Sequence, residues 1–75
     1  MSVVVYTKPG CPQCTATKRS LDRAVVPYRS VDVTADPAAR DEVLALGYST
    51  LPVVVVEGGQ HWSGFRPDRL AGLAA

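Results

Sequence analysis

The sequence predicts an α/β domain: a four-stranded mixed sheet flanked by three helices, in the order βαβαββα. Three observations carry this reading. Runs rich in β-branched residues, bounded by proline and glycine, recur at Val3-Val4-Val5-Tyr6, at Tyr28 to Val33 and at Val53-Val54-Val55-Val56. Two stretches of helical apolar spacing lie between those runs, each with a proline where a helix would begin. Gly58-Gly59 then precedes a short segment able to return as a hairpin partner. With 75 residues the chain has room for one domain, 1–75, and a thin core.

Taken in order, Val3 to Tyr6 is a buried opening strand that ends before Pro9-Gly10. The first helix starts with Cys11 as N-cap and Pro12 at its first position, where a missing N–H costs nothing. It is expected to run to about Val25 and to stop before Pro27, with Cys14, Leu21 and Val25 on one face. Tyr28 to Val33 forms the second strand, and strand–helix–strand order makes it parallel to the first. Asp36-Pro37 supplies an N-cap and a first-turn proline for the second helix, and Gly47 stands where its C-terminal cap belongs. Between them Ala39, Val43 and Leu46 make the apolar stripe. Val53 to Val56 is the third strand and Gln60 to Ser63 the fourth, after the Gly58-Gly59 turn. Pro67 opens a last helix expected to end around Ala74. This order is that of the thioredoxin-like architecture in its smallest form.

Composition narrows the function. An apolar share of 47% with 20% charged residues excludes intrinsic disorder. No run approaches the 18 apolar residues of a membrane span. The opening residues lack a basic region ahead of an apolar core, so no signal peptide is expected and a cytoplasmic protein is. A net charge of +1 argues against nucleic acid as a partner, because binding phosphates calls for a dense basic face. The charges are nonetheless segregated. Residues 1–29 carry five basic groups against one acid, a net of +4, and residues 30–60 carry five acids against one base, a net of −4.

Both cysteines lie in Cys11-Pro12-Gln13-Cys14, directly after the first strand and opening the first helix, the context of a thiol–disulfide motif. Residues i and i+3 at a helix start bring two sulfurs within bridging distance. The free N–H groups and the positive end of the helix dipole stabilise a thiolate at Cys11. Lowering a thiol pKa from about 8.5 to about 7 raises the thiolate fraction at neutral pH from a few per cent to about half. Lys8 adds to that stabilisation, while Cys14, one turn on, is sheltered against the core. An exposed attacking sulfur with a sheltered resolving one is the arrangement disulfide exchange requires.

Three other uses of the pair stay open. A structural disulfide over so short a loop contributes only about 2 kcal/mol. A zinc site needs four ligands, and the chain offers two cysteines and His61, so a dimer would have to complete it. An iron–sulfur cluster would need ligands from a second chain or from glutathione.

Beyond the cysteine pair, the chain resembles the NrdH-redoxins, a glutaredoxin-like group of the thioredoxin-fold superfamily. The resemblance covers essentially the whole sequence. It rests on Tyr6-Thr7-Lys8-Pro9-Gly10-Cys11-Pro12-Gln13-Cys14, on Ala45-Leu46-Gly47-Tyr48, on Leu51-Pro52-Val53-Val54 and above all on His61-Trp62-Ser63-Gly64-Phe65-Arg66-Pro67-Asp68. Pro12 stands where members often carry Val, as in the Cys-Pro opening of glutaredoxin motifs.

The resemblance implies a monomeric electron carrier without a bound cofactor or metal. It would be recycled by NADPH-dependent thioredoxin reductase and would reduce the large subunit of class Ib ribonucleotide reductase. Cys11 would attack and Cys14 resolve, with Lys8, Pro12 and Gln13 supporting the motif. The likeness also implies a cis Leu51–Pro52 bond facing the cysteines, so that Thr50, Leu51 and Pro52 dock substrate; cis occurs in only about 5–6% of X-Pro bonds in general.

The residues Trp62, Ser63, Gly64, Phe65, Arg66, Pro67 and Asp68 would form a structural or partner-binding motif. Trp62 and Phe65 read equally as side chains closing a small core, Arg66 as a bond across the strand–helix junction, and His61 as an ordinary strand residue. Tyr48 is core or partner surface. The rival is a glutathione-dependent glutaredoxin, which usually has Tyr at the Gln13 position and a Gly-Gly-x-Asp-Asp stretch before the last helix. Here Ser63 to Asp68 takes that place, and a paired-carboxylate contact for glutathione's amine is missing.

Overall fold

The computed structural model of the chain describes residues 2–73. Its elements are β1 (Val3–Thr7), α1 (Pro12–Arg23), β2 (Arg29–Asp32), α2 (Pro37–Ala45), β3 (Val53–Val56), β4 (Gln60–Ser63) and α3 (Pro67–Ala71). The four strands form one sheet in the order β2-β1-β3-β4. β1 runs parallel to β2, with Tyr6 opposite Val31, and antiparallel to β3, with Val5 opposite Val54. β4 pairs antiparallel with β3, setting His61 opposite Val55 and Ser63 opposite Val53. This is the mixed thioredoxin-like sheet that the sequence predicts.

Alternation along the strands divides the core in two. Val3, Val5, Val54, Val56 and Trp62 face α1 and α3 and pack with Leu21, Val26 and Leu70. Tyr6 and Val53 face the other way, against Ala39 and Val43 of α2. The Gly58-Gly59 turn takes φ values of 102° and 103°, open to glycine at no steric cost. No helix among the described residues is long and apolar enough to cross a membrane.

Two expected core positions are overturned. Val25 is not on the buried face of α1: the helix ends at Arg23, and Val25 lies past the cap, 85% exposed, at φ 56°. Its N–H donates to Asp22 O and the Val26 N–H to Leu21 O, the two bonds of a Schellman turn, so Val26 enters the core instead. Leu46 is 38% exposed because α2 ends at Ala45, and the chain turns at Gly47, φ 90°, before the stripe reaches Leu46. The same pair of bonds closes this helix, Gly47 N–H to Leu44 O and Tyr48 N–H to Val43 O, and Tyr48 packs where Leu46 was expected. Smaller differences lie at the ends of elements. The second strand is one residue shorter at each side than Tyr28 to Val33. α3 stops at Ala71 with Gly72 as its cap, and Ala74 lies outside the described residues.

Candidate redox site

The site forms where β1 feeds α1. Cys11 has extended backbone angles, φ −105° and ψ 103°, as an N-cap requires, and Pro12 follows at the first helical position. The Cys11 side chain is itself the cap: the Cys14 N–H donates to Cys11 Sγ at 3.2 Å. The two sulfurs are joined as a disulfide, with 5.2 Å between the Cα atoms. Thr15 Oγ1 donates to Cys11 O at 3.3 Å and Thr17 Oγ1 to Gln13 O at 2.9 Å, bracing the first turn. Cys11 keeps 9% of its surface exposed and Cys14 only 1%. The asymmetry is smaller than the sequence led us to expect, but it has the expected direction. Cys11 lines an open cleft of about 520 Å³, together with Lys8, Gly10, Pro12, Gln13, Ser49, Thr50 and Leu51. Cys14 lies behind it.

The opposite wall is the stretch leading into β3. Its Leu51–Pro52 bond is cis, as the resemblance implied. Leu51 O lies 4.0 Å from Cys11 Sγ, and Pro52 is fully buried. The Gly64 N–H donates to Pro52 O at 2.8 Å. Ser63 Oγ donates to Thr50 O at 2.9 Å, which leaves the Thr50 hydroxyl to donate to Ser63 Oγ at 2.8 Å. Gly64 takes φ 87°, and a Cβ there would meet the Gln13 side-chain amide at 3.8 Å. The structure thus gathers Lys8, Cys11, Pro12, Gln13, Thr50, Leu51, Pro52, Ser63 and Gly64 around the cysteines.

The remaining motif residues separate. Trp62 is buried in the core with the Arg69 guanidinium 5.3 Å from its ring centroid, so its role is packing. Phe65 does not close the core: it lies past the end of β4 and is 37% exposed. Nor does Arg66 bond across the strand–helix junction. It reaches forward to Asp68, Nε to Oδ1 at 3.3 Å and Nη2 to Oδ2 at 3.2 Å, both groups being exposed. Hydrogen bonding from Arg66 holds the Asp68 carboxyl below the usual range. Pro67 occupies the first position of α3. One feature of the wall was missed from sequence. The Tyr48 hydroxyl and His61 Nδ1 share a hydrogen bond of 2.6 Å, with the rings edge to face at 5.5 Å.

A glutaredoxin family model matches residues 3–62. The chain belongs to the glutaredoxin family. Within it, the likeness runs to the NrdH type. A glutaredoxin-like protein NrdH from Salmonella typhimurium is 43% identical over 93% of this chain and 85% of that protein. The solved NrdH-redoxin from Escherichia coli superposes with a TM-score of 0.95 at 36% identity, covering 100% of this chain and 97% of that one. A glutaredoxin from Archaeoglobus fulgidus shares the fold at a TM-score of 0.77 and 25% identity. The protein is therefore a redox protein of the NrdH glutaredoxin-like type, with its Cys-x-x-Cys pair in the cleft described above.

Proposed function

We propose that this NrdH-type protein is a thiol–disulfide oxidoreductase that carries electrons to a protein disulfide. In the reduced form the Cys11 thiolate attacks one sulfur of the partner disulfide. A Cys11–partner bond forms and the other partner sulfur leaves as a thiolate, which takes up a proton. The Cys14 thiol, after losing its proton, attacks Cys11 Sγ, closes the Cys11–Cys14 disulfide and releases the second partner thiolate. Two electrons have then passed to the partner. The carrying observation is the placement of the two sulfurs at the start of α1: Cys11 in the cleft beside Leu51 O, and Cys14 behind it. Electrons reside in sulfur throughout, so no bound cofactor or metal enters the cycle.

The proposed donor is NADPH-dependent thioredoxin reductase, the proposed acceptor the large subunit of class Ib ribonucleotide reductase, and the setting the cytoplasm, with the protein acting as a monomer. The likeness to an Escherichia coli protein described as having a thioredoxin-like activity profile supports this donor. So does the carboxylate pattern at the start of α3. Asp68 already holds Arg66, leaving glutathione's ammonium group without an unengaged pair of acids there. Losing one charge-assisted contact of about 1.5–3 kcal/mol weakens binding about 10- to 150-fold. NADPH consumption coupled to thioredoxin reductase, compared with glutathione and its reductase, tests the assignment. The first system should turn over the disulfide readily and the second poorly. Faster turnover with glutathione would assign the chain to the glutathione-dependent glutaredoxins instead.

A further inference from the structure

β4 treats the two faces of the sheet differently. On the α1 side it contributes Trp62 to the core. On the α2 side no β4 residue is among the apolar cluster members described, and by register that side carries His61 and Ser63, opposite Val55 and Val53. Both polar side chains are spent on the stretch before β3. His61 meets Tyr48 at 2.6 Å and Ser63 meets Thr50 at 2.8 Å and 2.9 Å, two residues on in each chain segment. The result is a ladder of side chains that lashes residues 48–50 to the outer strand.

The ladder holds the cleft wall from both directions. Tyr48 is seated by its own N–H on Val43 O at the end of α2 and by packing in the α2-side cluster. Three residues later Leu51 O stands beside Cys11 Sγ. Ser49, Thr50 and Leu51, which lie between these fixed points, line the cleft that Cys11 opens into. Because Cys11 opens into the cleft that this wall bounds, a disulfide with polypeptide on both sides of its sulfur meets the wall as it approaches. A small disulfide carries no chain to set against the wall and needs only access to Cys11 Sγ through the cleft.

We propose that Tyr48 and His61 are positioning residues that pre-order residues 49–51 for docking of protein disulfides, without touching the reacting sulfurs. The proposal rests on the thiol–disulfide reading above. Pre-ordering saves the partner the entropy of fixing the wall, so its loss appears in KM and leaves the reactivity of Cys11 alone.

The test uses two substrates: insulin, as a protein disulfide with dithiothreitol as the recycling reductant, and dithiobisnitrobenzoate, as a small one reacted with pre-reduced protein. Tyr48→Phe removes only the hydroxyl, and His61→Leu removes the imidazole. Each should raise KM for insulin about fivefold, the equivalent of one hydrogen bond of about 1 kcal/mol. The maximal rate with insulin and the rate with the small disulfide should stay at wild-type values. His61→Gln, which keeps a partner for the Tyr48 hydroxyl, should restore most of the KM. An unchanged KM in both variants overturns the proposal. So does a parallel fall with both substrates, the mark of a merely structural role. If His61→Leu fails to fold, Tyr48→Phe decides alone. A wild type that reduces neither substrate would instead overturn the thiol–disulfide reading itself.

Discussion

The two cysteines differ in what each would lose by substitution. With Cys11 in the cleft and Cys14 behind it, Cys14→Ser should keep an attacking thiol and accumulate mixed disulfides with partners, visible by mass on non-reducing gels. Cys11→Ser should lose attack almost completely. Faster alkylation of Cys14 than of Cys11 in the reduced protein would reverse these roles. The pair was legible in the sequence because its chemistry is local: three positions along a helix start fix the geometry. Tyr48 and His61 were not legible as a pair. They lie 13 residues apart across a hairpin, and nothing in either residue type announces that a tyrosine hydroxyl and an imidazole will meet.

At the scale of elements, α1 and α2 end in the same pair of backbone bonds with different residues at the left-handed position. Gly47 fills it in α2 and Val25 in α1. A β-branched residue there is held against its steric preference, by about 1–2 kcal/mol. Val25→Gly should therefore stabilise the fold, by about 0.5–1 kcal/mol after the added flexibility of glycine in the unfolded chain is subtracted. Urea unfolding checks this, and a lower midpoint would contradict it. The helix starts are cheaper to read. Asp36 Oδ1 accepts from Ala38 N at 3.1 Å and from Ala39 N at 3.3 Å, as its place before Pro37 predicted. Asp36→Ala should cost about 1 kcal/mol by the same measurement. The contrast explains what the sequence showed and hid: Gly47 advertises its turn, whereas Val25 reads as an ordinary helix-face residue until Pro27 forces the chain out.

Across the whole molecule, a part-buried hydrogen bond ties the sheet to its α2 layer. Tyr6 on β1 donates its hydroxyl to Glu42 Oε2 on α2 at 2.5 Å. Burial first, and the bond to Glu42 next, push the Tyr6 pKa from 10.0 up to about 12. The fold thus favours the protonated phenol. The stability this contributes is fully present below about pH 10, tyrosine's unfolded value, and is lost as pH rises through 12. The gap in unfolding free energy between the wild type and Tyr6→Phe should be constant up to about pH 10 and should narrow from there to pH 12. A constant gap across that window would show that the tie does not discriminate the two protonation states. The succession of elements and the mixed sheet were readable because hydrophobic period and proline placement agree along the chain. This tie was not, since it spans 36 residues and joins a strand to a helix that share no motif.

The sulfur proposed to exchange electrons is also the atom that caps the start of the helix, because Cys11 Sγ accepts the Cys14 N–H. Whatever bond that sulfur holds, whether to Cys14, to a partner or to a proton, the α1 amide that donates to it feels it directly. The Cys14 amide is thus a spectroscopic gauge built into the backbone. Its nitrogen and proton resonances should report, in one peak per state, how the protein's charge of electrons stands at any moment, with no label attached to either thiol.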